Sequence, residues 1–118
     1  MSGWIGVDLD GTLAHYDHWR GPDHVGTPIP AMLERVRGWL AAGREVRIFT
    51  ARATIPEQVA PVTKWLNTHR IFKKGTQTPL DVTNVKDFRM DELYDDRAVQ
   101  VEKNTGVLIG HSTRGYTP

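Results

Sequence analysis

Four short polar clusters carry most of the chemistry this sequence offers: Asp8-Leu9-Asp10-Gly11-Thr12, Thr50-Ala51-Arg52, Thr83-Asn84-Val85-Lys86 and Asp95-Asp96-Arg97. Each falls where a predicted strand ends. Transfer of a phosphoryl group needs a nucleophile, a proton donor, positive charge around the equatorial oxygens and a cation that offsets anion repulsion. The clusters supply carboxylates, a hydroxyl, an amine and a further acidic pair, so each requirement has a candidate. Taken singly they are ordinary: Asp-Gly is common in turns, Thr50 suits a helix cap, and Asp95-Asp96 suits a solvated loop. Their meaning lies in the set, provided that the fold brings them together.

The elements that must do so are readable from the apolar pattern. Residues 4–9 form an apolar run cut off by Asp10-Gly11-Thr12, as expected of a buried central strand. Residues 11–27 follow neither period and hold His15, His18, His24, Tyr16 and Trp19 among glycines and a proline, which reads as an ordered surface flap. From Ile29 the positions Met32, Leu33, Val36, Trp39 and Leu40 keep helical spacing up to Gly43, a C-terminal stop. A strand over residues 45–50 follows. Thr54-Ile55-Pro56-Glu57 then has the spacing of a capping box ahead of a second helix carrying Val59, Val62, Trp65 and Leu66, with Pro61 as a source of delay or kinking.

Short strands are expected over residues 80–83 and 92–95, and a hairpin pairs 98–101 with 106–109, followed by a polar tail from His111 to Pro118. Trp4, Trp39, Trp65 and Met32 fall on apolar faces and read as core. Alternating strands and helices imply an α/β fold with a Rossmann-like parallel sheet and right-handed crossovers. Ligands of such sheets bind at the carboxyl ends of the strands, where the four clusters lie.

The chain's 118 residues leave room for one domain, and 39% hydrophobic with 25% charged residues suits a folded core. A net charge of +1 without a long run of like charges gives no nucleic-acid or membrane footprint. The absence of cysteine excludes disulfides, thiolate zinc sites and cysteine nucleophiles. Neither a signal peptide nor a membrane span is visible, so the cytoplasm is the default compartment.

Asp-x-Asp-Gly-Thr after an apolar strand, a Thr after the second strand, a later Lys and a final acidic pair, in this order over roughly residues 4–101, resemble the haloacid dehalogenase-like superfamily. Within it the chain looks like the small capless phosphatase-type hydrolases of bacteria and phages, because neither the flap nor the stretch after the second strand is long enough for a cap domain. The resemblance implies a three-layer α/β/α sandwich and a magnesium-dependent phosphomonoesterase acting through an aspartyl-phosphate.

By that resemblance Asp8 is the nucleophile and Asp10 the general acid and base, and Asp10 also lends its backbone carbonyl to the metal. Thr50 and Lys86 are the remaining catalytic residues, Lys86 holding Asp8 ionised. Gly11, Thr12, Thr50, Ala51, Arg52 and Lys86 would surround the phosphate. Asp8, Asp10, Asp95 and Asp96 would hold Mg²⁺, Asp96 directly or through water. Asp10 favours phosphate chemistry over the dehalogenating branch, which lacks a carboxylate there.

Arg52 and Arg97 are equally readable as anion grips or as ion-pair partners of the nearby acids. The flap histidines lack the spacing of a zinc site, and Tyr16 and Trp19 either stack on a substrate or anchor the flap. Without a cap, the flap, the tail, a partner subunit or the substrate itself must exclude water, which leaves a homo-oligomer open. Sugar phosphates, nucleotides and nucleic-acid end phosphates all remain as substrates, the last without support from charge. Alternatives are a receiver-like signalling module, whose phosphorylated Asp ends a middle strand, and a non-catalytic domain that binds a phosphorylated partner.

Overall fold

The computed structural model describes residues 3–110. It contains four strands and two helices: β1 (Trp4–Val7), α1 (Pro30–Ala41), β2 (Glu45–Phe49), α2 (Val59–Thr68), β3 (Val82–Thr83) and β4 (Met90–Tyr94). The strands form one sheet in the order β3-β2-β1-β4, and every pairing is parallel. The α/β class and the parallel sheet thus agree with the sequence pattern. No helix of the described residues is long and apolar enough to cross a membrane.

Alternation along the strands sends Ile5 and Val7 of β1 and Val46 and Ile48 of β2 to one face. There they join Met32, Val36 and Leu40 of α1 and Val62, Trp65 and Leu66 of α2 in a single buried cluster. Both helices therefore cover the same face of the sheet. At about 25 cal/mol per Å², burial of this apolar surface is the main stabilising term. Trp39 of α1 reaches the edge strand, its ring 4.7 Å from that of Tyr94.

The expected three-layer sandwich is not formed among the described residues. Residues 84–89, which join β3 to β4, are too few for a helix of several turns plus a crossing. The buried indole of Trp4 lies outside the main cluster instead, with the Arg47 guanidinium 4.5 Å from its ring and its Nε1 donating to Asp87 at 2.9 Å. Trp4 N–H also donates to the Arg89 carbonyl at 2.8 Å, so this connection is fastened across the sheet by polar contacts.

Helix α1 begins with Pro30 at its first turn, where the missing N–H has no cost, and ends in paired bonds from Gly43 N to Leu40 O and Arg44 N to Trp39 O. Gly43 there has φ +85°, whereas exposed Gly38 sits mid-helix with open space around a would-be Cβ. Opposite effects are expected from one substitution type: Gly38→Ala gains and Gly43→Ala loses about 1 kcal/mol. Urea unfolding of the two variants checks both signs.

The capping box predicted at Thr54 does not form. Two 3₁₀ turns, Ala51–Thr54 and Pro56–Gln58, precede α2, and its N-cap Gln58 makes no side-chain capping bond. A helix begun at Thr54 would place Pro61 in its interior, where the missing N–H and the ring are disruptive. Starting at Val59 puts Pro61 in the first turn, whose N–H groups have no intrahelical partner.

The C-terminal hairpin reduces to one antiparallel bridge, Val101 with Leu108, flanked by bonds from Glu102 N to Val107 O and Ile109 N to Gln100 O. Its apolar side chains stay half exposed. The polar tail expected from His111 onward lies outside the described residues.

Candidate active site

The carboxyl ends of the four strands open into one cleft of about 450 Å³. Asp8 and Asp10 enter it from beyond β1, Thr50, Ala51 and Arg52 from beyond β2, Asn84 from beyond β3, and Asp95, Asp96 and Arg97 from beyond β4. All four polar clusters therefore contribute to one wall, as the parallel sheet requires.

Asp8, Asp95 and Asp96 offer carboxylate oxygens within 4.8 Å of one another. Backbone pairing sets their approach, because Asp8 N donates to the Tyr94 carbonyl at 2.9 Å and so fixes the end of β1 against the end of β4. The Thr12 hydroxyl sits between the two strands' acids. It lies 3.1 Å from Asp96 Oδ1 and 3.5 Å from Asp8 Oδ2 as donor, and accepts from Asp96 N at 3.0 Å. Three oxygen donors of this kind suit a hard divalent cation such as Mg²⁺.

Among the described residues, the groups that act on Asp8 include no cation to offset this cluster. The Asp8 carboxyl is pushed up to about 7, first by burial, then by its hydrogen bond with Asp96 and the negative charge of Asp95, against which a bond from Leu9 N acts weakly. Carboxylates held together without a counter-charge retain a proton or take up a cation.

The Asp10 carboxylate is not part of the triad. It is gripped at both oxygens by Arg52, whose Nε and Nη2 donate at 2.9 Å each. The same guanidinium donates to the Pro22 carbonyl at 3.1 Å and the His24 carbonyl at 2.8 Å, and it lies 4.9 Å from the Trp19 ring centre. Arg52 is only 5% exposed. Of its two readings, the ion-pair partner is the one observed, and the partner is the general acid and base of the resemblance. Arg97 donates its backbone N–H to Asp95, and its side chain lines the cleft without an ion pair among the described residues.

Lys86 is placed differently from the expectation. It lies on the exposed connection between β3 and β4, does not line the cleft, and among the described residues makes no hydrogen bond or ion pair. It is also absent from the groups that act on Asp8. The chain turns outward after Thr83, leaving Asn84 as this cluster's contribution.

Thr50 is buried; its N–H donates to the Thr83 carbonyl and its hydroxyl accepts from Arg52 N at 3.2 Å. Gly11 has φ +88°, and a Cβ there would lie 2.7 Å from Asp96 Oδ2. Gly11→Ala is therefore expected to lower stability by about 1–2 kcal/mol and to weaken Mg²⁺ binding about tenfold, since it displaces a triad carboxylate. Calorimetric titration with Mg²⁺ measures the second effect; unchanged affinity would refute it.

The flap is closed at its base, where His15 N donates to the Thr27 carbonyl and Ile29 N to the Leu13 carbonyl, with Leu13 and Ala14 fully buried. Trp65 Nε1 adds a bond to the Gly26 carbonyl at 2.8 Å. His15, His18 and His24 line an adjoining cavity of about 190 Å³ with Asp17 and Arg20, which shares Asp10, Tyr16 and Arg52 with the cleft, and they do not join the acidic triad. Phe49 and Gln58 also line the main cleft. Neither residue type marks a site in the sequence, although Phe49, as the last residue of β2, stands at the carboxyl edge of the sheet by position alone.

Comparison with protein-family models, with curated proteins and with solved structures gives no match. The functional reading rests on the site itself.

Proposed function

We propose that this protein is a magnesium-dependent phosphomonoesterase of the haloacid dehalogenase-like type, working through an aspartyl-phosphate on Asp8. One observation carries the reading: the Asp8, Asp95 and Asp96 carboxylates meet in an open cleft that also holds Thr50 and an Asp10 fixed by Arg52.

Asp8 attacks the phosphorus and the ester oxygen leaves; Asp10 gives it a proton, a role that requires Arg52 to release one of the two carboxyl oxygens so that the carboxyl carries the proton at this step. A water then attacks the aspartyl-phosphate, Asp10 takes its proton, the bond between phosphorus and the Asp8 oxygen breaks, and Asp8 and inorganic phosphate are restored. The hydroxyl of Thr50, which accepts from Arg52 N and keeps its own proton, donates to a phosphoryl oxygen. Arg97, which lines the cleft and makes no ion pair with the described residues, supplies the positive charge that the resemblance assigned to Lys86. Mg²⁺ bound by Asp8, Asp95 and Asp96 would lower phosphate charge repulsion and favour ionised Asp8.

The test is hydrolysis of a generic aryl phosphate with Mg²⁺, with chelator, and with Asp8→Asn as control. Mg²⁺-dependent turnover that the variant loses is the expected result. A folded, Mg²⁺-binding protein without turnover on any phosphomonoester would replace this reading with that of a phospho-binding module.

A further inference from the structure

We propose that the phosphate ester this cleft accepts is a nucleoside monophosphate, its base stacked on Trp19; the inference rests on the phosphatase reading above. The carboxylates account for only part of the cleft. Tyr16, Trp19 and Phe49 line the same space as Asp8, so an aromatic surface adjoins the position of the reacting phosphorus.

Aromatic residues that only anchor a loop are buried by doing so. Here that work is done by Leu13 and Ala14, fully buried, and by the bonds from Arg52 to the Pro22 and His24 carbonyls. Tyr16 and Trp19 remain 39% and 48% exposed. The Arg52 guanidinium lies 4.9 Å from the Trp19 ring centre and orients the indole, which lines the cleft and stays 48% exposed. A rigid, open indole face attracts a planar π-system and gains little from a sugar or glycerol phosphate.

The polar lining suits the edge of such a ring. Gln58 and Asn84 each present an amide with donor and acceptor, and Asn84 spends one donor on the Thr54 hydroxyl at 3.2 Å, keeping its carbonyl for a ligand. Among the described residues the cleft's cations are Arg52, already committed to Asp10, and Arg97. Arg97 matches one phosphate, and a net charge of +1 gives no track for a longer strand.

The experiment compares adenosine 5′-monophosphate with ribose 5-phosphate, the same ester without the base, in the wild type, Trp19→Ala and Trp19→Phe. In the wild type kcat/KM is expected to favour the nucleotide at least about tenfold, Trp19→Ala to remove most of that ratio, and Trp19→Phe to keep it. Equal hydrolysis of both esters, or a ratio unmoved by Trp19→Ala, overturns the inference and leaves the phosphatase reading standing. If neither ester nor the generic aryl phosphate is hydrolysed, the phosphatase reading falls and this inference falls with it.

Discussion

Asp8→Asn is expected to abolish turnover, by at least about 10³-fold, while raising the thermal stability of the metal-free protein. The two effects share one cause. The Asp8 carboxyl is half-buried against Asp96 and Asp95, and these surroundings push it up to about 7 from an ordinary 3.8. Between those values the folded chain holds a proton at Asp8 that the unfolded chain has released. Stability from this group is therefore complete below about pH 4 and is lost as the pH rises through about 7. The exposed carboxylates of Asp17 and Asp87, held below their usual value chiefly by bonds from His18 N and from the Trp4 indole, act below that window.

Asparagine keeps the volume and removes the charge, so the variant should lack the decline and gain about 1–2 kcal/mol near pH 8 in chelator, after allowance for the solvent that reaches Asp8. Mg²⁺ should flatten the same decline in the wild type, because it replaces the proton as the group that offsets charge. Melting curves from pH 4 to 8, with Mg²⁺ and with chelator, measure both. Turnover that survives the substitution would remove Asp8 from the mechanism.

Arg52→Ala is the second large effect, a loss of about 2–4 kcal/mol together with about 10²-fold in kcat. The substitution leaves the 22% exposed Asp10 carboxylate without its partner and frees the Pro22 and His24 carbonyls that fasten the flap. Arg52→Lys should recover part of the stability, since it restores charge, but not kcat, since an ammonium cannot grip both carboxylate oxygens and two carbonyls at once. Denaturant unfolding and limited proteolysis within residues 16–25 report the structural part. A stability within 0.5 kcal/mol of wild type would show that Arg52 does not fasten the flap.

The legible parts of this protein are those whose signal is local. Helix α1 is written in the spacing of Met32, Val36 and Leu40 and in Gly43, and β1 in an apolar run cut off by Asp10-Gly11-Thr12, of which the strand takes Trp4–Val7. The start of α2 is not legible in this way, because Thr54 and Glu57 have capping spacing and only the later constraint of Pro61 decides where the helix begins. The place of Lys86 depends on which way the chain turns after Thr83, and no residue there specifies a direction. Arg52 shows the limit most clearly: its partner is 42 positions away, and the choice between a substrate anion and Asp10 is made by the fold alone. The second helical layer was expected from resemblance, whereas residues 84–89 have neither the length nor the periodicity to supply it.

Among the described residues β4 lies at the edge of the sheet and pairs with β1 alone. An edge strand held by one neighbour belongs to the part of a fold that opens locally before the rest, and its amide protons exchange with solvent through that opening. Asp95 and Asp96 ride on the end of this strand, while Asp8 rides on the end of its neighbour. A cation shared among them would join the two strand ends, so that saturation of the site slows hydrogen exchange along Met90–Tyr94 selectively, and local order at one edge becomes a measure of metal occupancy.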